Sequence, residues 1–199
     1  MLDEAELVAR AAKGDASSFG VLFDQFSKDV YRLARSMGHD SEEAEDVMQE
    51  TFMAAFEGVA SYQGRSSFKT WLFAILLRQS SRRRRYLKIR KAEVFDELTD
   101  VSGNGPARQS EKVRRESRMD AHTMLDSLSP AHRAVLVLRE LQGLSYDEMA
   151  IALDIPRGTV ESRLFRARAI LRERFREYNE VPSAPPTEPL KKPVESHHE

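Results

Sequence analysis

Hydrophobic residues recur at helical spacing through the first sixty positions. Residues 2–13 place Leu, Ala and Val on one face and end at Gly14-Asp15, which breaks the pattern. Residues 16–38 continue with a face that is largely aromatic. Its members are Phe19, Leu22, Phe23, Phe26, Val30, Leu33, Ala34 and Met37. Spacing of i, i+3, i+4 and i+7 predicts amphipathic helices that pack through these faces.

A third helix is predicted to begin at Asp40 or Ser41, since either residue can cap it. Glutamates follow in its first turn, where the helix dipole favours negative charge. Its inward face is predicted to comprise Ala44, Val47, Met48, Thr51, Phe52, Ala55, Phe56 and Val59. After a polar loop at 61–67, a fourth helix is predicted over 68–85, with Ser67 as its cap.

The second half of the chain also follows helical spacing. Ser129 is predicted to cap a helix that Pro130 opens, with Ala134, Val135, Leu138 and Leu141 facing inward. Ser145 followed by Glu148 is a capping box, which predicts another helix from Tyr146.

A tight turn at Asp154-Ile155 leads to a last helix, for which Pro156 suits the first position. Its buried stripe is predicted to be Val160, Leu164, Ala167 and Leu171. This order predicts a helix-turn-helix whose second helix enters a DNA major groove. The residues of that helix predicted to face DNA are Arg157, Thr159, Glu161, Ser162, Arg163, Arg166 and Arg168. Arginines suit phosphates and short polar side chains suit base edges, although a solvated helical hairpin is the alternative.

Composition adds few constraints. The 199 residues include no Cys, which excludes disulfides and thiolate metal sites and suits a reducing cytosol. The first residues lack an apolar signal core, and no run is long enough to cross a membrane. We therefore expect a cytoplasmic protein without membrane insertion, cofactor or metal.

Charge is strongly segregated along the chain. The net charge is only −1, yet residues 1–60 hold 5 basic and 13 acidic side chains, while residues 61–92 hold 10 basic and no acidic ones. This separation predicts two partners of opposite charge, one of them a polyanion.

We predict an all-α fold with two small helical domains, residues 1–92 and 120–178. Residues 93–119 contain Ser102-Gly103-Asn104-Gly105-Pro106 and are predicted to form a flexible linker. Residues 179–199 are rich in Pro and are predicted to be a disordered tail.

Two surfaces of the first domain carry candidate chemistry. Asp46, Gln49, Glu50 and Met53 share the outward face of the third helix and suit either solvent or a basic protein helix. The loop 61–67 and the following helix combine aromatic rings with a run of arginines, Arg82–Arg85. Rings for bases and cations for a backbone are what single-stranded nucleic acid requires.

Three motifs in this order resemble the extracytoplasmic-function (ECF) sigma factors of the sigma-70 family. They are AEDVMQETFMAAF (Ala44–Phe56), YQGRSSFKTWLF (Tyr62–Phe73) and the stretch from Leu128 to Arg172, which contains the predicted helix-turn-helix. The resemblance implies two helical modules, region 2 and region 4, in a specificity subunit that has no catalysis of its own.

The resemblance also implies partners and contact residues. Asp46, Gln49, Glu50 and Met53 would bind the β′ clamp helices of core RNA polymerase, and region 4 would meet the β flap. The melted −10 element would be bound by Tyr62, Gln63, Gly64, Arg65, Ser66, Phe68, Lys69, Trp71, Arg78, Arg82 and Arg83. The −35 duplex would be read by the seven residues of the second helix given above. An anti-sigma factor would hold the two modules until a stress or another signal releases them.

One departure from the family pattern bears on −35 recognition. Glu161 stands where the family commonly has Lys or Arg; an acid there accepts a hydrogen bond from cytosine N4 but repels phosphate.

Two other functions remain as alternatives. A conventional helix-turn-helix regulator would need a dimer interface, and a nucleic-acid enzyme would need clustered carboxylates.

Overall fold

The computed structural model describes residues 3–97 and 121–180, and within them it contains α-helices and no strand. The all-α prediction is confirmed. The helices are α1 (Glu4–Ala11), α2 (Ala16–Ser36), α3 (Ser41–Gly58), α4 (Phe68–Glu97), α5 (Ala121–Asp126), α6 (Pro130–Glu140), α7 (Tyr146–Leu153) and α8 (Arg157–Glu180), with a 3₁₀ turn at Val59–Ser61.

Local capping sets where the first three helices begin. The side chains of Asp3, Asp15 and Asp40 are the N-caps of α1, α2 and α3 and accept hydrogen bonds from backbone N–H groups. Gly14 ends α1 with a φ of +93°, a conformation that favours glycine. Of the two cap candidates for α3, the structure selects Asp40.

The N-terminal hydrophobic core lies between α2, α3 and α4. Leu22, Val30 and Val47 are fully buried there against Leu72 and Phe73. The predicted inward face of α3 needs one correction, because Phe56 is 46% exposed. Its ring packs edge-on against Phe19 with centroids 5.0 Å apart, at the rim of a core whose interior positions Ala55 and Val59 already occupy.

Helix α4 is longer than expected. It continues to Glu97, so the first five residues of the predicted linker are helical. Residues 86–97 contain no Gly or Pro and include several good helix formers, which explains the extension. The rest of that linker, 98–119, lies outside the described residues, as do residue 120 and residues 181–199 of the predicted tail. Helix α8 continues to Glu180, two residues into the stretch assigned to the tail.

The C-terminal domain contains the predicted helix-turn-helix. Ser129 caps α6, and Ser145 with Glu148 forms the capping box of α7. Asp154 then adopts a left-handed conformation at φ 53°, which turns the chain into α8. The inward position predicted for Leu141 is wrong, since it is 60% exposed. Leu144 is buried instead, and its N–H donates to the Leu138 carbonyl.

The two domains pack against each other through α4 and α7. Thr70 Oγ1 on α4 donates to Glu148 Oε1 on α7 over 3.3 Å. At a second contact, Gly38 lies so near Arg133 of α6 that a Cβ there would clash with the guanidinium. A groove of about 750 Å³ between α4 and α7 is lined by Trp71, Arg78 and Arg82 on one side and by 151–154 on the other.

In the described part of the chain, none of the helices has the length and apolar character that crossing a membrane requires.

Candidate nucleic-acid and polymerase interface

The outward face of α3 is an exposed acidic surface. Asp46, Gln49, Glu50 and Met53 are all exposed, and the Met53 side chain reaches 66% exposure. The buried stripe of Ala44, Val47 and Thr51 on the other side of the helix fixes this orientation. The structure therefore brings the four predicted polymerase-binding residues together on one face.

Arg83 of α4 contacts this acidic surface. Its Nη2 donates to Asp46 Oδ2 over 3.1 Å, and its Nη1 is 3.7 Å from Glu50 Oε1. Arg83 was predicted to bind the −10 strand and the two acids to bind polymerase. The structure thus joins two predicted sites that sequence reasoning had treated as separate.

The loop 61–67 is shaped by Tyr62. Its hydroxyl donates to the Ser66 carbonyl, and its ring packs against Trp71 with centroids 5.2 Å apart. Burial raises the pKa of this phenol, and the negative charge of Glu4 adds a smaller contribution in the same direction. Tyr62 is half-buried, so it supports the loop more than it presents a free ring. Gly64 allows the turn with a φ of +66°.

Exposed loop residues remain available for a ligand. Gln63, Gly64 and Arg65 are exposed and Ser66 is half-buried. Ser67 Oγ accepts from the Thr70 N–H, which confirms it as the cap of α4.

Phe68 requires a correction. It was predicted to contact the −10 strand, but it is only 1% exposed and packs against Phe26 and Trp71. A side chain in the first turn of α4 that points into the hydrophobic core cannot contact a DNA strand in this fold. The half-exposed Trp71 is the ring of this cluster that reaches the interdomain groove.

The cations of α4 differ in their surroundings. Lys69 Nζ is 2.8 Å from Asp29 Oδ2, which lies on α2. Arg78 and Arg82 are exposed and line the interdomain groove. Arg84 donates to the Met37 carbonyl; burial lowers the pKa of its guanidinium, and the nearby Arg133 lowers it further.

A buried histidine lies beside these cations and was not singled out in the sequence. His39 Nε2 is 3.1 Å from Ser80 Oγ on α4, and its Nδ1 is 3.5 Å from Glu43 Oε2 on α3. Burial lowers the pKa of the imidazole; Glu43 opposes this effect, while Arg84 and Arg83 add to it. The only sequence signal was a His immediately before the Asp40 cap.

Two of the predicted −35 arginines are ion-paired at one flank of α8. Arg157 donates to Glu161 and to Asp147, each over 3.0 Å, and lies 5.8 Å from the Tyr146 ring centroid. These hydrogen bonds raise the pKa of Arg157, and the bond that it donates to Glu161 contributes most. Arg168 donates to Glu140 over 2.6 Å, the chief cause of its raised pKa.

The centre of the outward face of α8 includes a residue that sequence reasoning missed. Phe165 is 70% exposed between the exposed Ser162 and Arg166, opposite the buried Val160 and Leu164. An aromatic residue directly after a stripe position must face outward, so the signal was present. Thr159 and Arg163 are half-buried on the second flank.

Comparison with protein families gives two matches that together span both domains. Residues 22–89 match the family described as Sigma-70 region 2. Residues 118–171 match the family described as Sigma-70, region 4.

Curated relatives are similar over most of their length. The chain is 33% identical to the RNA polymerase sigma-H factor of Pseudomonas aeruginosa, over 83% of this chain and 90% of the relative. It is 34% identical to the ECF RNA polymerase sigma-E factor of Escherichia coli, over 84% and 91%.

Solved structures agree with this result. CnrH in complex with the cytosolic domain of CnrY matches with a TM-score of 0.63 and 28% identity, over 86% of this chain and 96% of that chain. The sigma factor RpoE of Bartonella quintana, in complex with the anti-sigma factor NepR, matches with a TM-score of 0.61 and 26% identity, over 79% and 96%. On these matches the chain belongs to the extracytoplasmic-function group of the sigma-70 family of RNA polymerase sigma factors.

Proposed function

We propose that this sigma factor binds core RNA polymerase, recognises the −35 and −10 promoter elements and promotes melting, so that transcription of a stress or signal regulon begins. The observation that carries the proposal is the arrangement of three surfaces: an acidic face on α3, a basic and aromatic surface on α4 with its preceding loop, and the helix-turn-helix. The polymerase supplies the chemistry and this chain supplies promoter choice, acting in the cytoplasm where both partners are found.

The acidic face is the proposed contact with the β′ clamp helices. Asp46 and Glu50 provide charge for a basic helix, and the exposed Met53 provides an adaptable apolar contact between them and the end of α3. Region 4 meets the β flap in this proposal.

The loop 61–67 and α4 are the proposed −10 surface. Reading a base during melting requires it to leave the stack, and unstacking costs a few kcal/mol that new contacts must return. Gln63 and Ser66 supply edge hydrogen bonds, and Arg65 supplies a phosphate contact. Trp71, held by Tyr62 and Phe68, supplies the ring. Arg78 and Arg82 add affinity that does not depend on sequence.

The outward face of α8 is the proposed −35 reader. Ser162, Arg166 and the added Phe165 occupy its centre, where base edges are nearest to a helix in the major groove. Thr159 and Arg163 extend the contact along one flank. On the other flank Arg157 and Arg168 are held by Glu161, Asp147 and Glu140, which suits phosphate positioning more than base reading.

An anti-sigma factor is the proposed inhibitor. The relative RpoE binds the anti-sigma factor NepR. The two domains of this chain pack together, and the cations proposed to bind the −10 strand line the groove between them.

A conventional regulator is not favoured, because both domains match sigma regions.

Run-off transcription with core polymerase and this chain on a genomic DNA library tests the proposal. We expect start sites that share one pair of elements upstream, and no such starts with core polymerase alone. In a parallel arm, Glu50→Lys reverses charge on the acidic face and should lower affinity for core polymerase. Asp24→Lys, at an exposed acid of α2, is the control and should keep the wild-type affinity. Absence of specific starts with the wild-type chain would contradict the proposal.

A further inference from the structure

Arg83 occupies a position between two functional surfaces. It belongs to the arginine run of α4, yet its guanidinium contacts Asp46 at 3.1 Å and Glu50 at 3.7 Å on the face proposed for polymerase. The Arg83 side chain is about one quarter exposed, whereas each of the two carboxylates is about half exposed. In the free chain, one cation therefore neutralises part of the acidic face and is itself partly neutralised.

From this geometry we infer that Arg83 couples polymerase binding to DNA binding, an inference that rests on the proposed function. A basic helix of polymerase that approaches Asp46 and Glu50 competes with Arg83 for the same carboxylates. Once those carboxylates are paired with the polymerase, Arg83 is released with its full charge toward the phosphates of the melted strand.

The coupling also operates in the opposite direction. A phosphate near Arg83 in the free chain is repelled by Asp46 and Glu50, which lie within about one Debye length at physiological salt. When a phosphate pairs with Arg83, Asp46 and Glu50 lose their internal partner and can pair with the polymerase. By thermodynamic linkage, each partner then raises the affinity for the other by the same factor.

The expected factor is modest. Exposed ion pairs are individually weak and are screened by salt, so loss of this pair should change affinity about two- to fivefold. The effect should shrink at high ionic strength, since the contacting groups are accessible to solvent.

Binding of core polymerase in the absence of DNA tests the first half of the inference. Arg83→Gln should bind core polymerase about two- to fivefold more tightly than wild type, because Asp46 and Glu50 lose their internal partner. Arg85→Gln is the matched control, since it removes the same charge from the same arginine run two residues away and is exposed. It should leave affinity for core polymerase at the wild-type value.

Binding of a −10 non-template oligonucleotide to the free chain tests the second half. Asp46→Asn with Glu50→Gln should bind it about two- to fivefold more tightly, and adding Arg83→Gln should abolish that gain. Asp24→Asn with Glu6→Gln removes the same charge from exposed positions on α2 and α1 and should give no gain.

The outcomes separate the inference from the function on which it rests. If wild type binds core polymerase and Glu50→Lys loses affinity, while Arg83→Gln equals Arg85→Gln, the coupling is wrong and the polymerase face stands. A loss of polymerase affinity in Arg83→Gln would also overturn the coupling, because it would make Arg83 a direct contact. If Glu50→Lys binds core polymerase as wild type does, the polymerase face itself is wrong.

Discussion

Glu161 shows how one residue changes its meaning once its neighbours are known. The sequence presents it as an acid on a DNA-reading helix. In the structure its carboxylate accepts a hydrogen bond from Arg157 Nε over 3.0 Å, so Arg157 partly neutralises its charge. Its effect on binding is therefore expected to act through Arg157 as much as through a base.

Glu161→Ala should increase affinity for −35 duplex about two- to fivefold and steepen the dependence on salt by up to about one unit, because Arg157 becomes available for a phosphate. Fluorescence anisotropy with a −35 duplex at several salt concentrations measures both quantities. Glu173→Ala, further along α8, should leave them near wild type. Weaker binding together with a lost preference for one base pair would instead identify Glu161 as a direct reader.

His39 gives the N-terminal domain a dependence on pH. Its folded-state pKa lies below the ordinary 6.5 because of burial, so the fold favours the neutral ring. The groups around it are Ser80, Glu43, Arg83 and Arg84. The resulting stability is fully present above pH 6.5 and is lost as pH falls toward the folded-state pKa, by up to about 1.4 kcal/mol per pH unit.

His39→Gln should lower the free energy of unfolding at pH 8 and flatten its decline between pH 7 and pH 5. Urea unfolding followed by the fluorescence of Trp71, the single Trp of the chain and a residue of this domain, measures the decline. A His39→Gln slope equal to that of wild type would show that His39 does not titrate in this range.

At the scale of elements, the loop 61–67 and helix α4 are expected to divide their work. The loop holds Gln63 exposed on a turn fixed by Tyr62, whereas α4 presents cations in succession. The loop therefore suits the choice of a base, and the cations of α4 suit binding to a DNA strand of any sequence.

Gln63→Ala should flatten the base preference at one −10 position in an open-complex assay and leave the salt dependence nearly unchanged. Arg78→Gln with Arg82→Gln should weaken binding to all sequences and make the salt slope shallower by about one to two units. Wild-type preference at every position in Gln63→Ala would rule out base reading by this side chain.

Local sequence signals predicted the elements well. The caps Asp40, Ser129 and Ser145 act within a few residues, so these helix starts and the helix-turn-helix followed from the sequence. Phe56, Phe68 and Leu141 were assigned to the wrong side because their exposure depends on which neighbour fills the core. The pairing of Arg83 with Asp46 joins residues 37 positions apart, and helical spacing carries no information at that separation.

At the scale of the whole molecule, the two domains are in contact, whereas the promoter elements that we propose for them are far apart. Elements about 25 base pairs apart are about 85 Å apart along B-DNA. Thr70 and Glu148, in contrast, are hydrogen-bonded to each other. On the proposed function, we therefore expect α7 to leave α4 when both elements are bound. Residues 98–120 give the chain a maximum reach of about 80 Å for this separation.

Deleting residues 103–112 should shorten that reach to about 45 Å. We expect a large loss of run-off transcription from a promoter with both elements, since the domains cannot reach them together. Affinity for an isolated −35 duplex and an isolated −10 oligonucleotide should stay within about twofold of wild type. Replacing the same ten residues by a Gly/Ser sequence of equal length should restore transcription; failure to restore it would show that the residues themselves, and not their reach, are needed.

The packing of α4 against α7 has a consequence for how the protein searches a genome. Trp71, Arg78 and Arg82 line the interdomain groove, and Ile151 to Asp154 lie across from them. A chromosome offers about 10⁶–10⁹ competing sites to any exposed basic surface. We expect a free chain that keeps these cations beside its other domain to lose less of its population to random DNA than a chain with separated domains, so that more of it can meet the polymerase.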